Sequence, residues 1–147
     1  MTLYDELVGW LSDLDGVRQD PAYHPEGDAL FHSLQVFERA LADDADPELL
    51  AAALLHDVGK AWSGRDHDRA GAELLVGLPA RTVWLVAHHL DLLREPRRTR
   101  ARWHGTLQLS DLTQLRRWDL GGRVRHARVR APSEAAAIVA AGLEDAR

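Results

Sequence analysis

Residues 49–55 read LLAAALL and run without a break into His56 and Asp57. A helix through this segment is apolar almost all round, and such a helix belongs at the centre of a packed core. The run ELLAAALLHDVGKAW therefore predicts a central helix, begun by Pro47 at its first position and carrying two ionisable side chains near its end. Elsewhere apolar residues recur at three and four spacings, with no sustained alternation, so the expected fold class is all-α, a helical bundle.

The other helices follow from the same periodicity. Leu3, Leu7, Trp10, Leu11 and Leu14 form one stripe of a first helix that Gly16 ends, and residues 18–27, with Pro21 and Pro25, form a loop. Asp28 caps a second helix whose buried face is Leu30, Leu34, Phe37 and Leu41, with His32 riding in it. After a polar loop at 63–68, HDRAGAELLVGL predicts a helix with His67 near its start. TVWLVAHHLDLL predicts another that ends in the doublet His88 and His89, after which Pro96 and the run RRTRAR interrupt the chain. A helix from about Thr106 carries Leu107, Leu109, Asp111, Leu112 and Leu115 until Gly121 and Gly122 break it. An alanine-rich helix over 133–142, capped by Ser133, closes the series.

Composition bounds what such a bundle can do. At 147 residues and 16.4 kDa the chain has the usual size of one domain, expected over residues 1–147. A bilayer span needs about twenty apolar residues, far more than the Leu49–Leu55 run provides. The N-terminus carries acids where an export signal needs bases, so a cytoplasmic address is expected. The chain has no cysteine, which excludes disulfides, thiolate zinc sites and a cysteine nucleophile, and leaves His and carboxylates to hold any metal. Charge is unevenly spread: residues 1–93 hold 17 acids against 6 bases, whereas residues 94–130 hold 11 arginines against three acids. The late segment is a field that attracts anions.

The chemical question is why His32, His56, Asp57, His67, His88, His89 and Asp111 fall inside apolar helices. Taken singly, a histidine in such a helix is more often a hydrogen-bonded core residue than a ligand. Together they are harder to explain that way, because His56-Asp57 and His88-His89 each sit in an apolar helix with no sequence-local partner. A shell of imidazoles and carboxylates around a divalent cation accounts for all of them, since the cation compensates the buried charge. Asp28 and Glu48 need no more than a cap and a first-turn acid. His104 and His126 lie beside the arginines, and the five tryptophans are expected to pack among the core leucines.

The order His32, His56-Asp57, Asp111 resembles the H…HD…D signature of the HD superfamily of metal-dependent phosphohydrolases. LLHDVGK is characteristic of its dyad, YHPEGDALFHSLQVFE is similar to a segment of the HD domain appended to bacterial CCA-adding tRNA nucleotidyltransferases, and HDRAGAELL resembles their His-x-x-x-Gly-Ala element. The resemblance covers about residues 18–126. It implies one HD-domain helical bundle with a central metal site, in which His32, His56, Asp57 and Asp111 bind a first metal. His67, His88 and His89 match the positions that add a second, with Asp57 bridging; which of His88 and His89 points inward stays open. The nucleotidyltransferase part is absent from this sequence, so CCA addition is not expected of it.

The resemblance further implies hydrolysis of nucleotides or RNA ends, as 2′,3′-cyclic phosphodiesterase, 2′-nucleotidase or phosphatase. The alternatives are a 5′-nucleotidase or a hydrolase of a signalling nucleotide, and, in another class, a catalytically silent nucleotide- or RNA-binding module. Two ions are expected, Mn, Fe, Co or Ni, with Mg or Zn also compatible. Asp57 and Lys60 are the expected catalytic residues. Lys60, the only lysine, and Arg123 are the candidates to meet substrate phosphate. Lys60 could equally be a helix C-terminal cation.

Overall fold

Four polar residues set where the main helices begin. In the computed structural model, which describes residues 1–145, Thr2 and Asp5 form a capping box at the start of α1 (Leu3–Leu14). Asp28 caps α2 (Ala29–Ala42) by accepting from the Phe31 amide, and its other oxygen accepts from the Gly16 amide at 2.9 Å, which ties both ends of the 16–28 loop together. Asp46 caps α3 (Pro47–Leu55), with Pro47 in the first turn where no amide hydrogen is needed. Thr106 caps α8 (Leu107–Gly121). Between α3 and α8 lie a single 3₁₀ turn (Val58–Ala61), α4 (His67–Leu74), α5 (Ala80–His88), α6 (Asp91–Arg94) and α7 (Pro96–Arg102); α9 (Pro132–Asp145) follows. Among the described residues there is no strand, only an isolated bridge between Arg18 and Asp28. The all-α expectation holds.

Every residue of α3 from Leu49 to Leu55 is buried, and the helix packs against α2, α5, α8 and α9. Its burial accounts for its lack of a polar face. Leu7, Leu11 and Leu14 of α1, Phe37 of α2 and Leu112, Leu115 and Trp118 of α8 complete the core around it. No helix among the described residues is long and apolar enough to cross a membrane.

Ser133 is not a cap, since α9 begins at Pro132 and holds Ser133 in its first turn, and three further sequence expectations change. The central helix does not run on to Trp62: it stops at Leu55, and His56, at its C-cap, leads into the 3₁₀ turn. Gly59 permits this course, because the turn approaches the α4 backbone too closely for a side chain. The arginine run is not an interruption either, since Pro96 opens α7 and Thr99 buries its hydroxyl against the Asp91 and Glu95 carbonyls. Trp62 is 67% exposed, not packed with the leucines, while Trp84 and Trp103 meet edge to face.

Candidate metal centre

His56 and Asp57 leave the backbone where the buried helix stops, so both side chains point into the core and not out of it. His56 is fully buried and Asp57 nearly so. Four other element ends converge there: His32 from the first turn of α2, His67 from the start of α4, His89 just past α5 and Asp119 from the last turn of α8. Asp57 is the hub. Its Oδ2 lies 2.9 Å from Lys60 Nζ, 3.2 Å from His56 Nε2 and 3.6 Å from His32 Nε2. Its Oδ1 lies 3.2 Å from His67 Nε2 and 3.4 Å from His89 Nε2. Asp119 Oδ1 closes the first side, 2.8 Å from His32 Nε2 and 3.5 Å from His56 Nε2. Two groups thus share Asp57, His32–His56–Asp57–Asp119 and Asp57–His67–His89, each with its ligand atoms within 4.8 Å of one another.

The donor set fits divalent cations. The Nδ1 atoms of His56, His67 and His89 sit 2.9, 3.0 and 2.7 Å from the carbonyls of Ala53, Gly64 and Val86, each three residues earlier. A carbonyl can only accept, so each Nδ1 carries the proton and each Nε2 turns a lone pair toward Asp57. The Nε2 atoms of His56 and His89 are buried without a hydrogen-bond partner. Lone pairs and carboxylate oxygens packed together out of water need a cation between them, and fixing Nδ1 through a backbone acceptor is how metal-ligating imidazoles are oriented. Without one, protons take its place. Burial alone would lower the His56 imidazole, but the charges of Asp57 and Asp119 outweigh it and push it up to about 10. Burial alone would raise the Asp57 and Asp119 carboxyls; the facing imidazoles, with Lys60 at Asp57, hold both well below the usual carboxylate range.

His32 has a different support. Its Nδ1 lies 2.8 Å from Glu26 Oε2 and 2.9 Å from the Gly122 carbonyl, and the Glu26 side chain is fully buried. Burial would raise the Glu26 carboxyl, but the His32 contact keeps it low. Glu26 therefore sets the orientation and basicity of a cluster imidazole from behind. Glu26 lies in the YHPEGD segment just ahead of α2, in a loop whose path no periodicity predicts. Glu26→Gln keeps an acceptor in place and removes only the charge. It is expected to weaken metal affinity about 10–100-fold, read by competition with a chelator at fixed pH. Unchanged affinity would mean that the Gly122 carbonyl suffices.

The structure corrects one ligand outright. Asp111 is not in the cluster: its two oxygens accept from Arg81 Nε at 2.9 Å and Nη2 at 3.0 Å, and Arg81 also reaches both oxygens of Asp46, the cap of α3. Asp111 is thus a structural anchor for α5 and α8, and Asp119, eight residues on, stands beside His32. The doublet is also resolved. His89 faces Asp57, whereas His88 is one-third exposed, stacks on Trp84 and contacts Asp91 at 2.7 Å. His32, His56, Asp57 and His67 are brought together. Lys60 reaches Asp57 from the 3₁₀ turn, its amide bonded to the Asp57 carbonyl at 2.9 Å. Arg123 lies beyond the end of α8 and donates to the Tyr23 carbonyl. His104 and His126 are exposed.

A helical domain whose central helix ends in a His-Asp pair, ringed by histidines and a carboxylate from four other elements, has a donor arrangement that could hold metal ions. Residues 30–141 match the family model described as HD domain, and the chain belongs to that family, a superfamily of metal-dependent phosphohydrolases. It is 43% identical over 74 residues to a protein of Halorhodospira halophila named "Multifunctional CCA protein", covering 46% of this chain and 18% of that one. Proteins of the same name from Thioalkalivibrio sulfidiphilus and Ralstonia nicotianae are 39% identical over 100 residues and 35% identical over 117. These alignments cover 63% and 71% of this chain but only 23% and 26% of the relatives. The chain thus spans less than a third of the length of these curated relatives.

Proposed function

We propose that residues 1–147 form one HD phosphohydrolase domain, cytoplasmic and dependent on two divalent ions, which hydrolyses phosphoesters of nucleotides or RNA ends. The observation that carries this reading is the Asp57-centred double cluster at the floor of a cavity of about 820 Å³ whose walls carry Arg18, Lys60, Arg116 and Arg123. That volume lies within the range of small-ligand sites. His32, His56, Asp57 and Asp119 would hold one ion, and Asp57, His67 and His89 the other. Bound there, the ions supply activation of water and charge neutralisation at phosphorus.

The chain's own residues do the rest. Asp57 serves both groups, one oxygen to each, and so fixes their separation. Lys60, held by Asp57 and Gln19, offers its one remaining hydrogen to a phosphoryl oxygen. Arg116 stands 3.6 Å from Asp119 Oδ2 on the cavity wall, where it meets the same charge from the other side. Leu90, Leu93 and Leu120 form an apolar wall suited to a base or sugar face. The YHPEGD resemblance supports 2′,3′-cyclic phosphodiesterase, 2′-nucleotidase and phosphatase activity as the specific chemistry.

The test is metal analysis of the purified protein together with turnover of 2′,3′-cyclic, 2′-, 3′- and 5′-nucleotides under Mn²⁺, Co²⁺, Ni²⁺, Fe²⁺, Zn²⁺ and Mg²⁺. Two bound ions and preferred cleavage of the cyclic and 2′ esters are expected. Preference for 5′-nucleotides would redirect the substrate, and no turnover of any ester with any metal would overturn the hydrolase reading.

A further inference from the structure

The same cavity holds hydrogen-bond donors that neither the protein nor a metal cluster satisfies. Lys60 Nζ donates to Gln19 Oε1 as well as to Asp57. An ammonium cannot accept a hydrogen bond, so the Gln19 amide has only one orientation, oxygen toward Lys60 and NH₂ away from it. That NH₂ is buried and has no partner among the described residues. Arg123 is in the same condition. Its Nη1 is committed to the Tyr23 carbonyl at 3.0 Å, and its Nε is buried without a partner. Both residues line the cavity.

Buried donors left unmade are costly, and the usual resolution is a ligand that brings acceptors. Of the carboxylate oxygens on the cavity wall, only Asp20 Oδ2 is free among the described residues. Asp57 and Asp119 face the histidines and Lys60, and Asp20 Oδ1 accepts from the Ala22 amide at 2.9 Å to close its own turn. Beside the two orphan donors, Lys60 and Arg18 add positive charge, which outweighs the single free oxygen of Asp20. Such a wall selects an anion with several oxygens.

We infer that Gln19 and Arg123 form an anion subsite for a second phosphate of the substrate, one that is held but not cleaved. Lys60 joins it to the cluster through its contacts with Asp57 Oδ2 and Gln19 Oε1. The preferred substrates are then phosphoesters with two phosphate groups, such as a nucleoside 2′,3′-cyclic phosphate that also bears a 5′-phosphate. This inference rests on the hydrolase reading for its substrate, though not for the subsite itself.

The informative variant is Gln19→Glu, which keeps an oxygen for Lys60 and exchanges only the NH₂ for a second, negatively charged oxygen. In one arm, inorganic phosphate is titrated calorimetrically into protein stripped with EDTA. The wild type binds, and the variant binds at least about tenfold more weakly, the worth of one charge-assisted hydrogen bond. In the other arm, nucleoside 2′,3′-cyclic phosphates with and without a 5′-phosphate are compared on the metal-loaded enzyme. The 5′-phosphate is expected to lower KM in the wild type, and Gln19→Glu to bring the KM values with and without a 5′-phosphate together. Equal phosphate binding by the two proteins, or none by the wild type, overturns the subsite. So does turnover with no 5′-phosphate preference, which leaves the hydrolase reading standing. Phosphate binding that depends on Gln19 in a protein that turns over no ester has the opposite meaning: the subsite stands and the hydrolase reading falls.

Discussion

Asp119→Asn is expected to empty at least one metal position and to cut phosphoester hydrolysis by more than about 100-fold, while Asp111→Asn keeps both metal and turnover. The two acids sit on the same helix and both are buried, Asp119 at 6% and Asp111 at 4% exposure, so burial alone does not separate them. Their partners do. Asp119 faces two imidazole nitrogens at 2.8 and 3.5 Å, whereas Asp111 faces only the Arg81 fork. An Asp-to-Asn change is isosteric, so the fold should survive at position 119 and the loss should appear in metal content. At position 111 the loss should appear in stability, about 1.5–3 kcal/mol for a hydrogen-bonded charge pair, partly offset because Arg81 keeps Asp46. Metal stoichiometry and urea midpoints on the two variants decide the matter. Metal lost from Asp111→Asn and retained in Asp119→Asn would reverse the assignment. The doublet gives a parallel contrast: His89→Ala should reduce the second ion's occupancy, and His88→Ala should not.

These outcomes also show what the sequence could and could not convey. The central helix, its neighbours and some of their starts were readable because each depends on local pattern: Leu49–Leu55 has no polar face, and Asp28, Pro47 and Thr106 mark helix starts by their own chemistry. That His56 and Asp57 enter the core follows directly from their place at the end of that segment. The choice between Asp111 and Asp119 does not. Both belong to the buried stripe Asp111, Leu112, Leu115, Trp118 and Asp119, and they differ by eight residues, about 12 Å along the axis. Only the point at which α8 meets α2 puts one of them beside His32, and that is tertiary information. The arginine-flanked RRWDLGG setting further disguised Asp119 as a surface residue. Glu26 and Gln19 were hidden differently, in a Pro-containing loop whose path is fixed by hydrogen bonds to Asp28 and Gly27 and not by periodicity.

Gly59→Ala is expected to destabilise the protein by about 3 kcal/mol or more, near the upper end for overpacking, and to disturb the second metal group as it does so. Gly59 does not need left-handed backbone freedom; it needs space. A Cβ built there would lie 2.0 Å from the His67 carbonyl oxygen and 2.6 Å from the Gly71 amide nitrogen. Both obstacles are backbone atoms, so no side-chain rotation relieves the overlap, and α4 would have to move away from the 3₁₀ turn. Gly71 sits on the other side of this contact, where a Cβ would already meet Val86 Cγ1 at 3.1 Å, which limits how far α4 can slide. The turn carries Lys60 and follows Asp57, and α4 begins at His67, so the glycine contact sets the 3.2 Å between His67 Nε2 and Asp57 Oδ1. A chain of this size loses roughly 2–4 °C of Tm per kcal/mol, giving a fall of about 10 °C by calorimetry. Metal stoichiometry of the folded fraction should fall with it. A variant as stable as the wild type, with two ions bound, would show that α4 can give way without cost and that the close approach at Gly59 does not position His67.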